Sequence, residues 1–540
     1  MQHSVIAVID LGSNSARIVV FRATAGGVLD VVADEHVSLR LIRGLDKKGL
    51  LRDKAIDGAV RLLSDFRKLA DGAGAGRILA FGTAALREAG NKDELLARAR
   101  KESGIRLLIL DGDEEGRAGF LGAVYGLPVE DGIVFDIGGG SAQITHFRGR
   151  RQKRTTSLPL GALRLADRFL KSDPPAASEI QKLRLHVRRL LAKEKIGKLA
   201  DGARVIGTGG TVRNLAKVAA KHWSYPILRL HGYELSFARL RELRALFLSR
   251  DSASRGSLPG LNSSRADSII AGGIVAETIL EACGGTRFLV AGYGMREGSV
   301  LAAGGGQLPS PEHVRKMAIG AFAARFASCE RERAVRRARI VLSLYDQLEP
   351  FPDPTWREML LHAAIVVDAG RSIDFYRMHS HSGEMIRSSG LAGFSHRGIA
   401  ILSSIVEMAD VEGWDPRKCS PPLAADDYDA LERAGVLLCL SDAIEQRRPP
   451  GLATAARGKT KGSAFVISDP GMTSWDDAYV SRRFRQAFGK DLVFSGSPAS
   501  AEPAKVSDDA PESAEPSGKR ARPSRSKKPA ARDKRAKKKK

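Results

Sequence analysis

The chain has 540 residues and a formal charge of +24, with 43% apolar and 27% charged side chains. That balance excludes collagenous and wholly disordered classes, and no run reaches the roughly 20 apolar residues a spanning helix needs. At about 100–200 residues per domain, the length predicts three or four units.

In chain order, residues 5–9 and 17–21 read as strands around a polar turn, so the N-terminus is expected to open a sheet rather than to serve as a signal peptide. Residues 54–69 carry Ile56, Ala59, Val60, Leu63 and Phe66 on one helical stripe. Short apolar strands follow at 77–81 and 106–110, the second leading into the acidic helix start Asp113-Glu114-Glu115. Residues 133–137 and 142–147 repeat the opening pattern. Asp136-Ile137-Gly138-Gly139-Gly140-Ser141 answers Asp10-Leu11-Gly12-Ser13-Asn14-Ser15, with the skeleton Asp-[Leu/Ile]-Gly-x-x-Ser recurring 126 residues on. This predicts α/β architecture with two lobes of related design, each opening on a hairpin with Asp at its turn. Glycine turns at Gly207-Thr208-Gly209-Gly210-Thr211 and Gly292-Tyr293-Gly294 end two further strands.

Residues 303–311 have no periodicity and read as a linker. Beyond it, helical spacing at 334–348 and 356–368 predicts a mainly helical domain to about residue 490. From 496 onward Pro, Ala, Ser, Lys and Glu dominate, a composition that cannot bury a core and is expected to be disordered. Residues 517–540 hold 13 Lys/Arg against the single acid Asp533, so half the excess charge sits there. Such a tail suits contact with a polyanion, or serves only as a solvated extension. The four cysteines form no C-x-x-C pair, which fits a reducing, cytoplasmic setting better than a disulfide framework.

The two Asp-Gly turns carry the chemistry. Glycine turns let backbone N–H groups approach phosphate oxygens, and Ser13, Asn14 and Ser141 add side-chain donors. Asp10 and Asp136 at the strand ends could hold a divalent cation, usually through water for Mg²⁺. Either turn alone could be a plain hairpin; the matched repetition favours an oligophosphate gripped from both sides. Glu114 and Glu115 sit where a carboxylate could activate water or simply favour a helix N-terminus. Arg87 could neutralise a phosphate or pair with Glu88 or Glu94, and Arg265 and Arg296 carry a similar ambiguity.

These motifs, with Thr83-Ala84-Ala85-Leu86-Arg87-Glu88-Ala89, Gly112-Asp113-Glu114-Glu115-Gly116-Arg117, Leu258-Pro259-Gly260-Leu261 and Met295-Arg296-Glu297-Gly298, occur in an ordered set. That set resembles the exopolyphosphatase / guanosine pentaphosphate phosphohydrolase family of the actin-like ATPase superfold. The resemblance implies two ribonuclease-H-like lobes (1–128 and 129–305), a mainly helical HD-like domain (310–494) and a disordered basic tail (495–540). It implies a hydrolase acting on phosphoric anhydrides, with inorganic polyphosphate or guanosine pentaphosphate as substrate, Mg²⁺ or another divalent cation as cofactor, a homodimer and no membrane association. Glu115 matches the family's catalytic glutamate, and Asp136 the acidic residue of its second phosphate loop. Asp10, Ser13 and Asn14 match the first loop, and Arg87 and Arg265 phosphate-contacting arginines. Gly138, Gly139, Gly140 and Ser141, with Gly209, Gly210 and Thr211, would supply backbone donors to phosphate. Two positions depart from the family: Gln143 stands where Glu is usual, and Val367-Asp368 where longer members have His-Asp. No second metal site is therefore expected beside His379 and His381. A polyphosphate- or nucleotide-binding regulator without turnover is the competing class.

Overall fold

The computed structural model describes residues 4–495 apart from 24–27, 47, 411–415, 449–455, 470–471, 473–474 and 476. The tail read from residue 495 onward lies outside the described residues, except for Ser495. The chain opens with strands β1 (Ser4–Leu11), β2 (Ser15–Ala23) and β3 (Leu29–Ser38), then helix α1 (Asp53–Gly72) and β4 (Arg77–Gly82). Helices α2 (Ala84–Glu88) and α3 (Lys92–Ser103), β5 (Leu107–Ile109) and α4 (Gly112–Tyr125) complete the first lobe. The second contains β6 (Gly132–Ile137), β7 (Ala142–Arg148), β8 (Arg151–Leu158), α5 (Ala162–Phe169), α6 (Ala177–Lys193), β9 (Arg204–Thr208) and α7 (Gly209–His222). It continues through β10 (Tyr233–Ser236), α8 (Phe237–Leu248), α9 (Ser252–Gly256), α10 (Ile269–Ala282), β11 (Arg287–Val290) and α11 (Met295–Ala303).

The repeated motif reflects a repeated topology. The first sheet has order β3-β2-β1-β4-β5, and the second β10-β11-β9-β6-β7-β8. In each, an antiparallel hairpin pairs its first strand in parallel with the strand after a crossover: β1 with β4, and β6 with β9. β1 and β6 are thereby central, which explains why both are continuous apolar runs buried on both faces. α4 and α11 cross at backbone contact. A Cβ on Gly298 would lie 1.7 Å from the Ala118 carbonyl oxygen, so this crossing requires glycine.

The helical part comprises α12 (Pro311–Ala323), α13 (Arg331–Leu348), α14 (Pro354–Val366), α15 (Met378–Ser388), α16 (His396–Met408) and α17 (Tyr428–Arg447) around its own apolar core. Sequence spacing missed its last layer. Strands β12 (Arg457–Lys461), β13 (Ala464–Ser468) and β14 (Asp491–Ser495), with α18 (Ala478–Phe488) between the last two, form a three-stranded sheet. β12 is Arg-Gly-Lys-Thr-Lys and mostly exposed, so it carries no apolar alternation to detect. Its order comes from pairing with β13, whose Phe465 and Ile467 enter the helical core.

His396, the first residue of α16, docks this part onto the second lobe. Its Nε2 lies 3.2 Å from the His231 carbonyl oxygen and its Nδ1 3.0 Å from the Tyr225 hydroxyl. Nε2–H donates to the carbonyl, leaving Nδ1 to accept from Tyr225, which defines a neutral ring. Burial, reinforced by Arg229, pushes its pKa down to about 4. A histidine depressed in the fold binds fewer protons there than in the unfolded chain. Its contribution is complete above about pH 6.5 and is lost as pH falls toward 4. The shift corresponds to about 3 kcal/mol. Urea melts between pH 4.5 and 7.5 should therefore show a shallower pH slope in His396→Gln than in the parent protein; equal slopes would remove His396 as the source.

Candidate active site

The two hairpin turns face one another. A Cβ on Gly140 would lie 2.8 Å from Ser13 Oγ, and one on Gly139 3.0 Å from Asn14 Cβ. Beside them lies a cleft of about 570 Å³. Asp10, Ser13 and Asn14 line it from the first lobe together with Glu115. Asp136, Gly138, Gly139, Gly140, Ser141, Gly209, Gly210 and Arg265 line it from the second. Local geometry explains much of this. Gly209 has φ +90°, and a Cβ there would lie 2.3 Å from Asp136 Oδ1. Glycine thus brings the start of α7 down onto the Asp136 carboxylate.

The helix after β5 separates the two adjacent glutamates. Asp111 caps α4 by accepting from the N–H groups of Asp113 and Glu114, and Glu114 Oε2 accepts the Asp111 N–H at 2.9 Å. Glu114 is the reciprocal partner of a capping box, while Glu115 points to the cleft. Glu115 Oε2 lies 3.0 Å from Arg87 Nη1, which also donates to the Leu110 carbonyl at 2.7 Å. Arg87 therefore pairs with neither Glu88 nor Glu94. Glu88 instead binds Arg164 across the lobes. Burial pushes the Glu115 carboxyl up to about 7; Arg87 opposes the shift, and Asp136 and Asp10 add to it.

Asp10 and Asp136 are likewise raised, chiefly by burial. Arg296 Nη1 reaches Asp10 Oδ2 at 3.2 Å. Two carboxylates that disfavour ionisation in one cleft are a fitting donor pair for a cation. Among the described residues no three His, Cys, Asp or Glu side chains converge. A hydrated Mg²⁺ held by one or two carboxylates and completed by substrate oxygens needs no more.

Some expectations are corrected. The Thr211 side chain is buried, and a Cβ on Gly272 of α10 would lie 2.3 Å from Thr211 Cγ2, so that side chain packs against α10 and only the backbone N–H of Thr211 is left for the role expected of it. Gln143, opposite Asp136 in the β6–β7 register, is buried; its Nε2 donates to Ser141 Oγ at 2.8 Å and to Ser157 Oγ at 3.3 Å. It positions a loop serine. Arg17, Arg213 and Lys217, which sequence reading passed over, line the cleft. The signal was present on α7: Gly209, Arg213 and Lys217 are spaced by four and share one helix face.

In the helical part, Asp368 is bound by Arg337 at 2.7 Å and Arg371 at 3.3 Å, and His379 lies 3.8 Å from Asp410. Asp368 is thus a partner of arginines. Among the described residues, no helix is long and apolar enough to cross a membrane.

Comparison with known proteins gives one consistent picture. The chain matches the Ppx/GppA phosphatase family over residues 19–303 and that family's domain III over residues 314–459. It is 34% identical over 301 residues to exopolyphosphatase 1 of Mycobacterium leprae, covering 55% of this chain and 88% of the relative. The crystal structure of an exopolyphosphatase from Cytophaga hutchinsonii aligns with TM-score 0.52 at 26% identity, over 57% of this chain and 100% of the other. An Aquifex aeolicus family member aligns with TM-score 0.50 at 27% identity, over 56% and 98% respectively.

Proposed function

The chain belongs to the Ppx/GppA phosphatase family, and from that membership we propose that it is an exopolyphosphatase, releasing the terminal phosphate of inorganic polyphosphate by attack of water. The observation that carries the choice of substrate is the wall of the cleft. Arg17, Arg213, Lys217, Arg265 and Arg296 line it, and among the described residues no Phe, Tyr or Trp does. A purine base is commonly held by stacking on such a ring, whereas a bare polyanion needs only cations and N–H donors. The mycobacterial and Cytophaga relatives, named exopolyphosphatases, agree with this reading.

The terminal phosphate sits in the cleft beside the two turns, held by Ser13, Asn14 and the N–H groups of residues 139–141. Glu115 orients the attacking water and accepts its proton as the new P–O bond forms. The bond to the chain breaks, the shortened polyphosphate leaves with the electron pair, and orthophosphate is released. Arg265 and the glycine N–H groups at the start of α7 stabilise charge on the phosphoryl oxygens. A divalent cation on Asp10 and Asp136 would add further charge neutralisation there.

The test is phosphate release from long-chain polyphosphate and from guanosine pentaphosphate, run in parallel with Mg²⁺. Faster turnover of the polymer is the expected result. Release from the nucleotide alone overturns the substrate assignment, and binding of both without release identifies a regulator.

A further inference from the structure

Two arginines of the cleft wall have carboxylate partners, Arg296 with Asp10 and Arg17 with Asp34, whereas Arg265, already assigned to the transferred phosphate, has no ion pair among the described residues. Two α7 cations also lack one. Arg213 makes one long hydrogen bond, from Nη1 to the Gly292 carbonyl at 3.4 Å, and its neighbours include Arg296 and Arg17. Burial first, and then Arg296, pulls its pKa down to about 10 against the opposing charges of Glu297 and Asp136. Lys217, exposed on the same helix face, has no hydrogen bond or ion pair among the described residues, and partial burial and Arg213 lower its pKa. Two cations on one cleft face with no carboxylate at ion-pair distance leave a place for an anion.

The helix that carries them is anchored. Asn214, between them, donates to the Gly210 carbonyl at 2.8 Å and accepts the Asn262 N–H at 2.8 Å. The second contact ties the turn that leads to Arg265 against α7. Arg213 and Lys217 are four residues apart, about 6 Å along one helix face, and each step leads away from Gly209 and Asp136. A chain whose terminal phosphate lies in the cleft beside the two turns can run along this face.

We propose that Arg213 and Lys217 form a wall that holds the phosphates behind the scissile bond, with Lys217 as an outer subsite that only a longer chain reaches. This rests on the polyphosphate reading above and extends it from substrate class to chain length. Lys217→Gln, Lys217→Arg and Arg213→Gln are assayed with tripolyphosphate and with long-chain polyphosphate. Lys217→Gln should raise KM for the long chain about tenfold, the effect of one charge-assisted contact, and that for tripolyphosphate less than about twofold. Lys217→Arg should restore the long-chain KM, and Arg213→Gln should weaken both substrates. A Lys217→Gln effect equal for the two substrates, or absent from both, overturns the outer subsite. A parent protein that releases no phosphate from either polymer overturns the reading beneath it, so the two failures are distinguishable.

Discussion

Glu115→Gln is expected to cut kcat by about 100- to 10,000-fold, the range associated with loss of a general base, while making the metal-free protein more stable. Both effects follow from one observation. Burial holds the Glu115 carboxyl up to about 7 even though Arg87 lies 3.0 Å away. The group is thus poised to take a proton near neutral pH, and its ionised form is disfavoured in the fold. An acid raised in the fold binds more protons there than in the unfolded chain. Its penalty is absent below about pH 4.5, grows as pH rises, and is complete above about 7. The shift from 4.5 to about 7 corresponds to about 3 kcal/mol. Gln has nearly the same shape, keeps an oxygen for Arg87 and removes the penalty. Melting curves of the two proteins should coincide near pH 4.5 and separate toward pH 8, with the variant higher. Retained turnover would remove Glu115 from the chemistry. Lost turnover with a lower melting temperature at pH 8 would assign it a structural role.

The sequence was most informative where one strand does two jobs. β1 and β6 are central in their sheets, so each is an apolar run, and each carries next to its last residue the Asp that lines the cleft. Periodicity and chemistry therefore point to the same residues, and both hairpins and both turns were legible. Glu115 could not be told from Glu114 by position. The distinction depends on Asp111 and Glu114 closing a capping box, a three-dimensional fact with only a weak local signature. Arg213 and Lys217 were passed over because a basic residue on a helix is usually solvated, and only the fold turns that face into a cleft. The β12–β14 sheet was illegible for a different reason: its exposed basic strand is ordered by its partner and not by its own pattern.

Arg337 shows how far a two-residue motif can mislead. Val367-Asp368 reads as a His-Asp pair that has lost one member, yet Asp368 is fully employed. Arg337, 0% exposed, reaches Asp368 and Asp442 at 2.7 Å each and donates to the Ala364 carbonyl at 2.9 Å. One guanidinium on α13 thereby ties the end of α14 to α17, and the two carboxylates raise its pKa against the opposing effect of burial. Next to it, Arg333 and Arg336 converge on Glu445 of α17. Arg337→Met leaves Asp368 only Arg371 at 3.3 Å and Asp442 only Arg333 at 3.7 Å, so two buried carboxylates lose their nearest cation, which should cost about 3 kcal/mol. The direct comparison is the triple variant Arg337→Met, Asp368→Leu, Asp442→Leu. Replacing every member of a buried ionic cluster with apolar side chains is often neutral or stabilising, so the triple variant should regain most of what the single variant loses. Denaturant unfolding of the full chain, followed by a probe in the helical part, measures both. If the single variant is as stable as the parent, water reaches these carboxylates and the cluster is not a buried one. If the triple variant is as unstable as the single one, the guanidinium matters through its packing and its bond to Ala364 rather than its charge. The expected pattern would identify Asp368 as a buried counter-ion, selected by the arginine opposite it.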